Sequence, residues 1–298
     1  MTVDMEHLSK WIGRAEQQHD VITPFPLIAL SATLDRDDPV PEEGDAVPPA
    51  GHWLYFLPTT RQSDLGVDGH AKRGGFLPPV ELPRRMWAGG RIEFQRPLRV
   101  GDAAARTATV ANVTHKKGKS GDLVFVVVRY DIFEPAGLAI REEHDIVYRE
   151  EQRPGTEPPK PPMAPPRGKW HRTIHPDPVL LFRYSALIFN GHRIHYDWKF
   201  TTEDEGYPGL IVHGPLIATL LMDLCRRNRS HQTLKRFDYR AVSPLFDTAP
   251  FTINGNPSDD GKTAELWAAN ADGKTAELWA ANADGELAMQ ATAEFADE

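Results

Sequence analysis

The chain has 298 residues, of which 40% are hydrophobic and 26% are charged, and its formal net charge is -8. Since a domain takes up about 150 residues, this length suits one large domain or two of modest size. The composition is that of a folded globular protein and excludes a disordered chain. The acidic balance argues against broad nucleic-acid binding, and the single cysteine, Cys225, excludes an internal disulfide framework.

The N-terminus favours a location in the cytoplasm. Its first residues, MTVDME, contain two acids and neither a basic cluster nor an apolar run, so we expect no secretory or transit signal. No stretch approaches the ~18 apolar residues of a membrane-spanning helix. We therefore expect a cytoplasmic protein that binds neither membranes nor nucleic acid.

The first part of the chain predicts two helices followed by strands. The helices are predicted at Glu6–Gln18 and Leu27–Leu34, ahead of a polar stretch rich in proline and glycine at Asp35–Pro83. Alternating β-rich runs between turn signals then predict four strands, at Arg91–Arg96, Ala104–Thr114, Leu123–Phe133 and Ala139–Tyr148.

A proline-rich segment divides the chain near its middle. Seven of the sixteen residues from Glu151 to Pro166 are proline, and the protein has 26 prolines in all. Such a segment cannot form ladder hydrogen bonds or bury much apolar surface, so it predicts a stiff connector. We therefore expect two domains, 1–150 and 169–298, joined by a linker at 151–168.

The second part repeats the plan of the first. Helical or loop material from Pro176 to Tyr207 precedes a helix at His213–Arg226, whose nearly continuous apolar sequence predicts that it is buried. Strands are predicted at Arg236–Val242, Phe251–Asn254, Ala264–Ala268 and Leu287–Phe295. Helices followed by antiparallel-type strands in both parts indicate an α+β fold.

The sequence contains one tandem repeat. Gly261–Asp272 and Gly273–Asp284 both read GKTAELWAANAD. Twelve is an even number, so either copy would present the same face to the core as a strand. We expect one copy to complete the sheet and the other to extend a hairpin or bulge out as a loop.

Polar side chains are dense between Phe182 and Leu216, immediately before the predicted buried helix. Polar groups beside an apolar element are costly unless they are paired or used. Seven of them lie within fifteen positions: Arg183, Tyr184, Asn190, His192, Arg193, His195 and Asp197.

The segment Asn190-Gly191-His192-Arg193-Ile194-His195 resembles the hydratase-2 motif of the MaoC-like enoyl-CoA hydratases, in which a histidine follows an acid by five residues. Ile194 and His195 match, Asn190 stands at the acidic position, and His192-Arg193 replaces Asn-Pro. The likeness is to the double-hotdog branch, which includes mesaconyl-CoA and itaconyl-CoA hydratases and type 2 hydroxyacyl-thioester dehydratases. It extends to further segments, at His52–Pro58, Lys72–Pro79, Pro83–Pro97 and Phe182–Asp197.

This resemblance implies a double hotdog, in which antiparallel sheets each wrap a buried central helix. It also implies that the N-terminal unit shapes a substrate tunnel and that the C-terminal unit holds the catalytic residues. Water addition to an unsaturated thioester needs a base, a proton donor for the α-carbon and donors for the enolate-like oxygen. His195 is the expected base. Asn190 can hold water or substrate only through hydrogen bonds, so the assisting group stays open among Asp197, Tyr184 and His192.

The same resemblance places the oxyanion donor at Gly214. A thioester carbonyl can approach the N–H of a glycine closely, and the positive end of the helix dipole lies there. Pro215 follows at the first helical turn, where a missing N–H costs nothing.

Substrate binding is expected to involve basic and aromatic residues of the N-terminal part and one tyrosine. Arginine and lysine can bind the phosphates of coenzyme A or a carboxylate of the acyl group. The candidates are Arg84, Arg85, Lys72, Arg73, Trp53 and Tyr184.

The expected function is hydration or dehydration of a short 2-enoyl-CoA thioester without a cofactor or metal. The favoured substrates are branched and dicarboxylic, mesaconyl-C4-CoA or itaconyl-CoA, giving citramalyl-CoA. Two alternatives remain open: a 3-hydroxyacyl-thioester dehydratase of fatty-acid synthesis, and a catalytically silent acyl-CoA-binding protein. Because two hotdog units in one chain can form the pair that single units build as a dimer, both a monomer and a homodimer are open.

Overall fold

The computed structural model describes residues 3–118, 121–150, 160–257 and 275–296. Across these residues the chain forms four α-helices and ten strands, which confirms the predicted α+β class. In the same ranges, no helix is long and apolar enough to cross a membrane.

The N-terminal half holds helices α1, Met5–Ser9, and α2, Pro24–Thr33, and five strands. Leu27 and Leu30 of α2 pack into the main hydrophobic core. The strands are β1, Ala15–Val21; β2, Arg84–Phe94; β3, Ala103–Gly118; β4, Gly121–Glu134; and β5, Gly137–Arg149.

The predicted helix at Glu6–Gln18 is wrong beyond its first turn. Helix α1 ends at Ser9, and Gly13 then adopts φ +86°, which leaves the helical region. Strand β1 follows and pairs antiparallel with β3, so that Ala15 lies opposite Thr109. The ladder to this distant strand satisfies the backbone of a polar segment whose local sequence favours a helix.

The C-terminal half holds helices α3, Pro178–Leu187, and α4, Gly214–Asn228. Asp177 caps α3 by accepting a hydrogen bond from the N–H of Leu180 at 2.8 Å. The predicted buried helix is confirmed, because every α4 residue from Leu216 to Cys225 is buried. The strands are β6, Trp170–Ile174; β7, Leu234–Ala241; β8, Phe251–Pro257; β9, Thr275–Ala281; and β10, Leu287–Phe295.

All ten strands belong to one antiparallel sheet with the order β1-β3-β4-β5-β2-β7-β10-β9-β8-β6. The two halves meet where β2 pairs with β7, with Gly90 opposite Tyr239. A Cβ atom at Gly89 would lie 2.5 Å from the carbonyl oxygen of Tyr239, and one at Gly90 would overlap the Tyr239 hydroxyl. The glycine pair therefore allows the close approach that makes the two half-sheets continuous.

The second copy of the repeat completes the sheet as β9, between β8 and β10. Leu278 and Trp279 of this strand are buried, which agrees with the prediction that one copy contributes a core-facing strand. The first copy, and with it the predicted strand at Ala264–Ala268, lies outside the described residues.

The end of the predicted linker lies against the sheet. The N–H of Leu287 donates to the carbonyl of Pro162 at 2.8 Å, and that of Ala164 donates to the carbonyl of Gly285 at 2.9 Å. Residues 151–159 lie outside the described ranges, so the division into two domains stays a prediction.

Deleting one copy of the repeat should leave the fold intact. Since the copies are identical, removal of either gives the same chain, which keeps one segment able to form β9. We expect the free energy of unfolding, measured by denaturant titration, to change by no more than about 0.5 kcal/mol. Deletion of both copies is the control and should unfold the protein, because it removes a buried central strand. A single deletion as damaging as the double would contradict this account.

Candidate active site

The motif segment leaves α3 in a tight turn held by Asn190. Its backbone N–H donates to the carbonyl of Ser185 at 2.8 Å, and its side-chain oxygen accepts a hydrogen bond from the N–H of His192 at 2.9 Å. A short 3₁₀ turn, Arg193–His195, follows directly. Asn190 therefore fixes the path of the chain into His195, and its carbonyl oxygen is already engaged.

His195 is a buried, neutral imidazole with one defined tautomer. Its Nδ1 lies 2.7 Å from the carbonyl oxygen of Ile211, so Nδ1 holds the proton and donates it to that carbonyl. Nε2 has no hydrogen-bond partner among the described residues and carries the lone pair. Burial lowers the pKa of His195 to about 4, which keeps the ring uncharged at neutral pH.

His213 packs against the ring of His195, a contact that the sequence did not predict. The two rings stack with centroids 3.7 Å apart and planes 18° apart. Nε2 of His213 lies 2.7 Å from the hydroxyl oxygen of Ser185, and the Tyr184 ring meets His213 edge to face. Burial lowers the pKa of His213 well below its usual value, so the stacked pair is uncharged.

Gly214 begins α4 directly after His213, as the sequence predicts. The first N–H groups of a helix lack partners within it, and a positive partial charge gathers there. Trp87 of β2 packs against this glycine, since a Cβ atom at position 214 would lie 2.6 Å from its ring. A side chain here would therefore push Trp87 away from the helix start.

A loop of the N-terminal half reaches the motif and adds the imidazole of His70 to those already there. The rings of His70 and His192 contact each other with centroids 3.9 Å apart and planes tilted by 41°, and His192 meets His195 edge to face at 5.4 Å. Nδ1 of His70 lies 2.8 Å from the Asp68 carboxylate. Sequence reasoning missed this pair because nothing local marks Asp68 and His70; only the tertiary fold brings them to the motif.

Asp68, His70 and His192 also form a group of the metal-ligating type. Their potential ligand atoms lie within 4.8 Å of one another. The hydrogen bond between Asp68 and His70 and the ring contact between the two histidines account for this closeness without an ion. The sequence predicts no metal site at these three residues.

Asp197, an open candidate for the assisting group, faces Arg193. The two side chains form an ion pair at 2.7 Å, and the Asp197 carboxylate accepts the N–H of Phe200. The hydrogen bond from Phe200, followed by that from Arg193, lowers the pKa of Asp197. The carboxylate is therefore ionised and paired.

The four basic residues predicted to bind substrate occupy different surroundings. Lys72 donates to the carbonyl of Ser63, and Arg73 donates to the carbonyls of three loop residues. Arg84 forms an ion pair with Glu205. Arg85 differs from the other three. Its charge lowers the pKa of His70 and the pKa of His192, and in both cases the effect of burial is larger.

Trp53 and Tyr184 are held by hydrogen bonds inside the protein. The indole N–H of Trp53 donates to Glu142 at 2.9 Å, and the Tyr184 hydroxyl lies 3.0 Å from that of Thr219. Glu142 also contacts His52 and His144. Burial alone would raise the pKa of Glu142, but the two histidines and their hydrogen bonds lower it, so the carboxylate stays charged.

Comparison with known families shows the family that the motif resembles. A family model described as hydroxyacyl-thioester dehydratase type 2 matches residues 50–247, well over half of the chain. The chain belongs to this family. It is 49% identical over 250 residues to the mesaconyl-C(4)-CoA hydratase of Chloroflexus aurantiacus, covering 84% of this chain and 89% of that protein. Family membership and this similarity indicate that the protein is a hydro-lyase.

Solved structures show the same double-hotdog fold. A MaoC-like dehydratase from Phytophthora capsici superposes with a TM-score of 0.68 at 13% identity, covering 99% of this chain and all of that one. A Mycobacterium tuberculosis protein described as having a double hotdog fold superposes with a TM-score of 0.57 at 11% identity, covering 96% of each chain. The fold implied by the motif is thereby confirmed.

The buried histidines predict a loss of stability in acid. His195 has a folded pKa of about 4, against about 6.5 in an unfolded chain, so between these values the unfolded state binds more protons. The contribution of His195 to the free energy of unfolding is therefore complete above about pH 6.5 and is lost as the pH falls towards 4. We expect His195 to contribute up to about 1.4 kcal/mol per pH unit to this slope.

Denaturant titration between pH 7 and pH 5 measures the effect. His195→Asn should flatten the slope, because it removes the group whose folded pKa is lowered. The control His231→Asn changes an exposed histidine and should keep the wild-type slope. Equal stability of the wild type at both pH values would contradict the buried, neutral state of these rings.

Proposed function

We propose that the protein adds water to a short 2-enoyl-CoA thioester, and removes it in reverse, with His195 as the base and the Gly214 N–H as a donor to the thioester oxygen. The observation that supports this reaction is the state of His195, a neutral imidazole whose Nδ1–H donates to the carbonyl of Ile211 and whose Nε2 has no partner among the described residues. It lies against His213, the residue before Gly214. Base and oxyanion donor are thus neighbours.

The proposed reaction needs only one mobile proton. Nε2 of His195 takes a proton from water while the water oxygen bonds to the β-carbon. The double-bond electrons move towards the thioester oxygen, whose negative charge is stabilised by the Gly214 N–H and the start of α4. The imidazolium of His195 then returns the proton to the α-carbon, which regenerates the neutral ring.

The proposed substrate class is a branched, dicarboxylic enoyl-CoA. Its main support is the 49% identity to a mesaconyl-C(4)-CoA hydratase, which makes mesaconyl-C4-CoA the first candidate, itaconyl-CoA the second and citramalyl-CoA the hydrated product. Arg85 adds a physical reason, because its charge acts on the His70 and His192 rings and could pair with a free carboxylate. We further propose that the enzyme acts in the cytoplasm, as a monomer or a homodimer.

A second candidate is dehydration of longer, linear 3-hydroxyacyl thioesters. The description of the matching family model favours it, since that family is named for hydroxyacyl-thioester dehydration. The two candidates share the chemistry at His195 and Gly214 and differ in the acyl chain. Only the first needs a cation for a second carboxylate.

A substrate panel should separate these candidates. Loss of enoyl-thioester absorbance is measured with mesaconyl-C4-CoA, itaconyl-CoA, crotonyl-CoA and a longer linear enoyl-CoA. We expect the highest kcat/KM with mesaconyl-C4-CoA, and a kcat lowered about 100-fold or more in His195→Asn because the base is removed. Highest activity on the long linear chain would favour the second candidate. Thioester binding without turnover would contradict both.

Arg85→Gln should discriminate between acyl groups. Without the guanidinium, KM for mesaconyl-C4-CoA is expected to rise about tenfold or more, because a charge-assisted hydrogen bond is worth about 1.5–3 kcal/mol. KM for crotonyl-CoA, which lacks the carboxylate, should change little. Arg14→Gln, at an exposed arginine, is the matched control. Equal changes in KM for both substrates would show that Arg85 does not recognise the acyl carboxylate.

A further inference from the structure

We propose that His70, oriented by Asp68, is a second catalytic residue that holds the attacking water together with His195. The inference rests on the proposed hydration and concerns a part of the chain for which the sequence predicts no catalytic residue. It assigns a water-binding role to the N-terminal half, in a protein whose motif has Asn190 in place of the acid.

The first observation is the fixed tautomer of His70. Asp68 binds it twice, since one carboxylate oxygen lies 2.8 Å from Nδ1 and the other accepts the backbone N–H of His70 at 3.0 Å. A carboxylate accepts hydrogen bonds and cannot donate them when ionised, so Nδ1 carries the proton. Nε2 is left with its lone pair, as in other imidazoles oriented by an acid.

The second observation is that the loop carrying this pair is clamped to the motif. The N–H of Arg193 donates to the carbonyl of Asp68 at 2.9 Å, and the Arg193 guanidinium donates to the carbonyl of Val67 at 3.0 Å. Gly69 adopts φ +87°, and a Cβ atom there would overlap the carbonyl of Gly191. The approach of the two segments therefore requires a glycine at position 69.

The third observation is a continuous row of aromatic contacts. The rings of His70, His192, His195 and His213 touch in that order, from the loop to the start of α4. Nε2 of His70 and Nε2 of His195 both lack a hydrogen-bond partner among the described residues, and both rings belong to this row.

Asn190 explains why a second group is needed. Asn190 cannot take up a proton as the acid of the hydratase motif can, and its amide oxygen already accepts one hydrogen bond, from the N–H of His192. Asp197 is paired with Arg193. His192 is a second imidazole next to the motif, but His70 is the one of these two rings whose tautomer is fixed by a carboxylate.

The proposed roles leave the proton balance of the reaction unchanged. The attacking water donates one hydrogen to Nε2 of His195, which takes that proton, and the other to Nε2 of His70, which keeps its hydrogen bond without accepting the proton. The oxygen–carbon bond forms, and His195 returns its proton to the α-carbon. Asp68 is a positioning residue, and its negative charge offsets the positive charge that develops on His195.

Kinetics of His70→Ala, His70→Gln and Asp68→Asn test the proposal in the full-length enzyme. With the best enoyl-CoA of the panel, kcat of His70→Ala is expected to fall about 100-fold with little change in KM. His70→Gln should recover part of the loss, because its amide oxygen can accept a hydrogen bond from water. Asp68→Asn should lower kcat less, and should lower it no further in a His70→Ala background, because the two act as one unit.

A matched control is His115→Ala, which removes an exposed histidine that pairs with Asp122 at 2.7 Å in the same way. It should keep wild-type kcat, and thermal unfolding verifies that each variant is folded. Wild-type kcat in folded His70→Ala would overturn the role of His70 alone. An inactive wild type across the panel would instead refute the proposed function and this role with it. Loss of wild-type activity in a chelator, restored by zinc, would show that Asp68, His70 and His192 bind a metal and would also overturn it.

Discussion

The contact between β2 and β7 is the constraint on which the site depends. It joins two half-sheets into one, and it requires glycine at positions 89 and 90 because Tyr239 occupies the space that side chains would need. Trp87, on the same strand, reaches across to Gly214 at the start of α4. The strand pairing thus holds the N-terminal half against the C-terminal half, which carries the motif.

Burial determines the protonation state of the histidines in the site. His195 and His213 lie against each other in an environment that lowers both pKa values, so the site holds neutral imidazoles at physiological pH. A neutral imidazole can accept a proton, and a buried site strengthens each hydrogen bond to a developing charge. Position 190 holds an amide in place of the acid, and in the proposed mechanism Asp68 provides the negative charge from the other half of the chain.

Much of the fold could be predicted from local sequence. Helix α4 was predictable because an almost entirely apolar run has to be buried, and β10 because its pattern extends over the whole strand. His195 was predicted from the short motif at Asn190–His195 and Gly214 from the family resemblance at the start of α4, and their catalytic roles stay proposals. Strand β1 was not, because its polar sequence resembles an exposed helix and its strand conformation depends on pairing with β3. His70 and His213 were missed for the same reason, since their contacts depend on tertiary packing rather than on neighbours in sequence.

The most direct test is a crystal structure of the enzyme with butyryl-CoA, a saturated thioester that cannot be hydrated. The proposed mechanism predicts that the thioester oxygen lies about 3 Å from the N–H nitrogen of Gly214. It also predicts that the β-carbon faces the Nε2 atoms of His195 and His70, with room for one water between them. An acyl chain bound away from α4, or a β-carbon turned from both histidines, would contradict the central claim that this histidine row is the catalytic site.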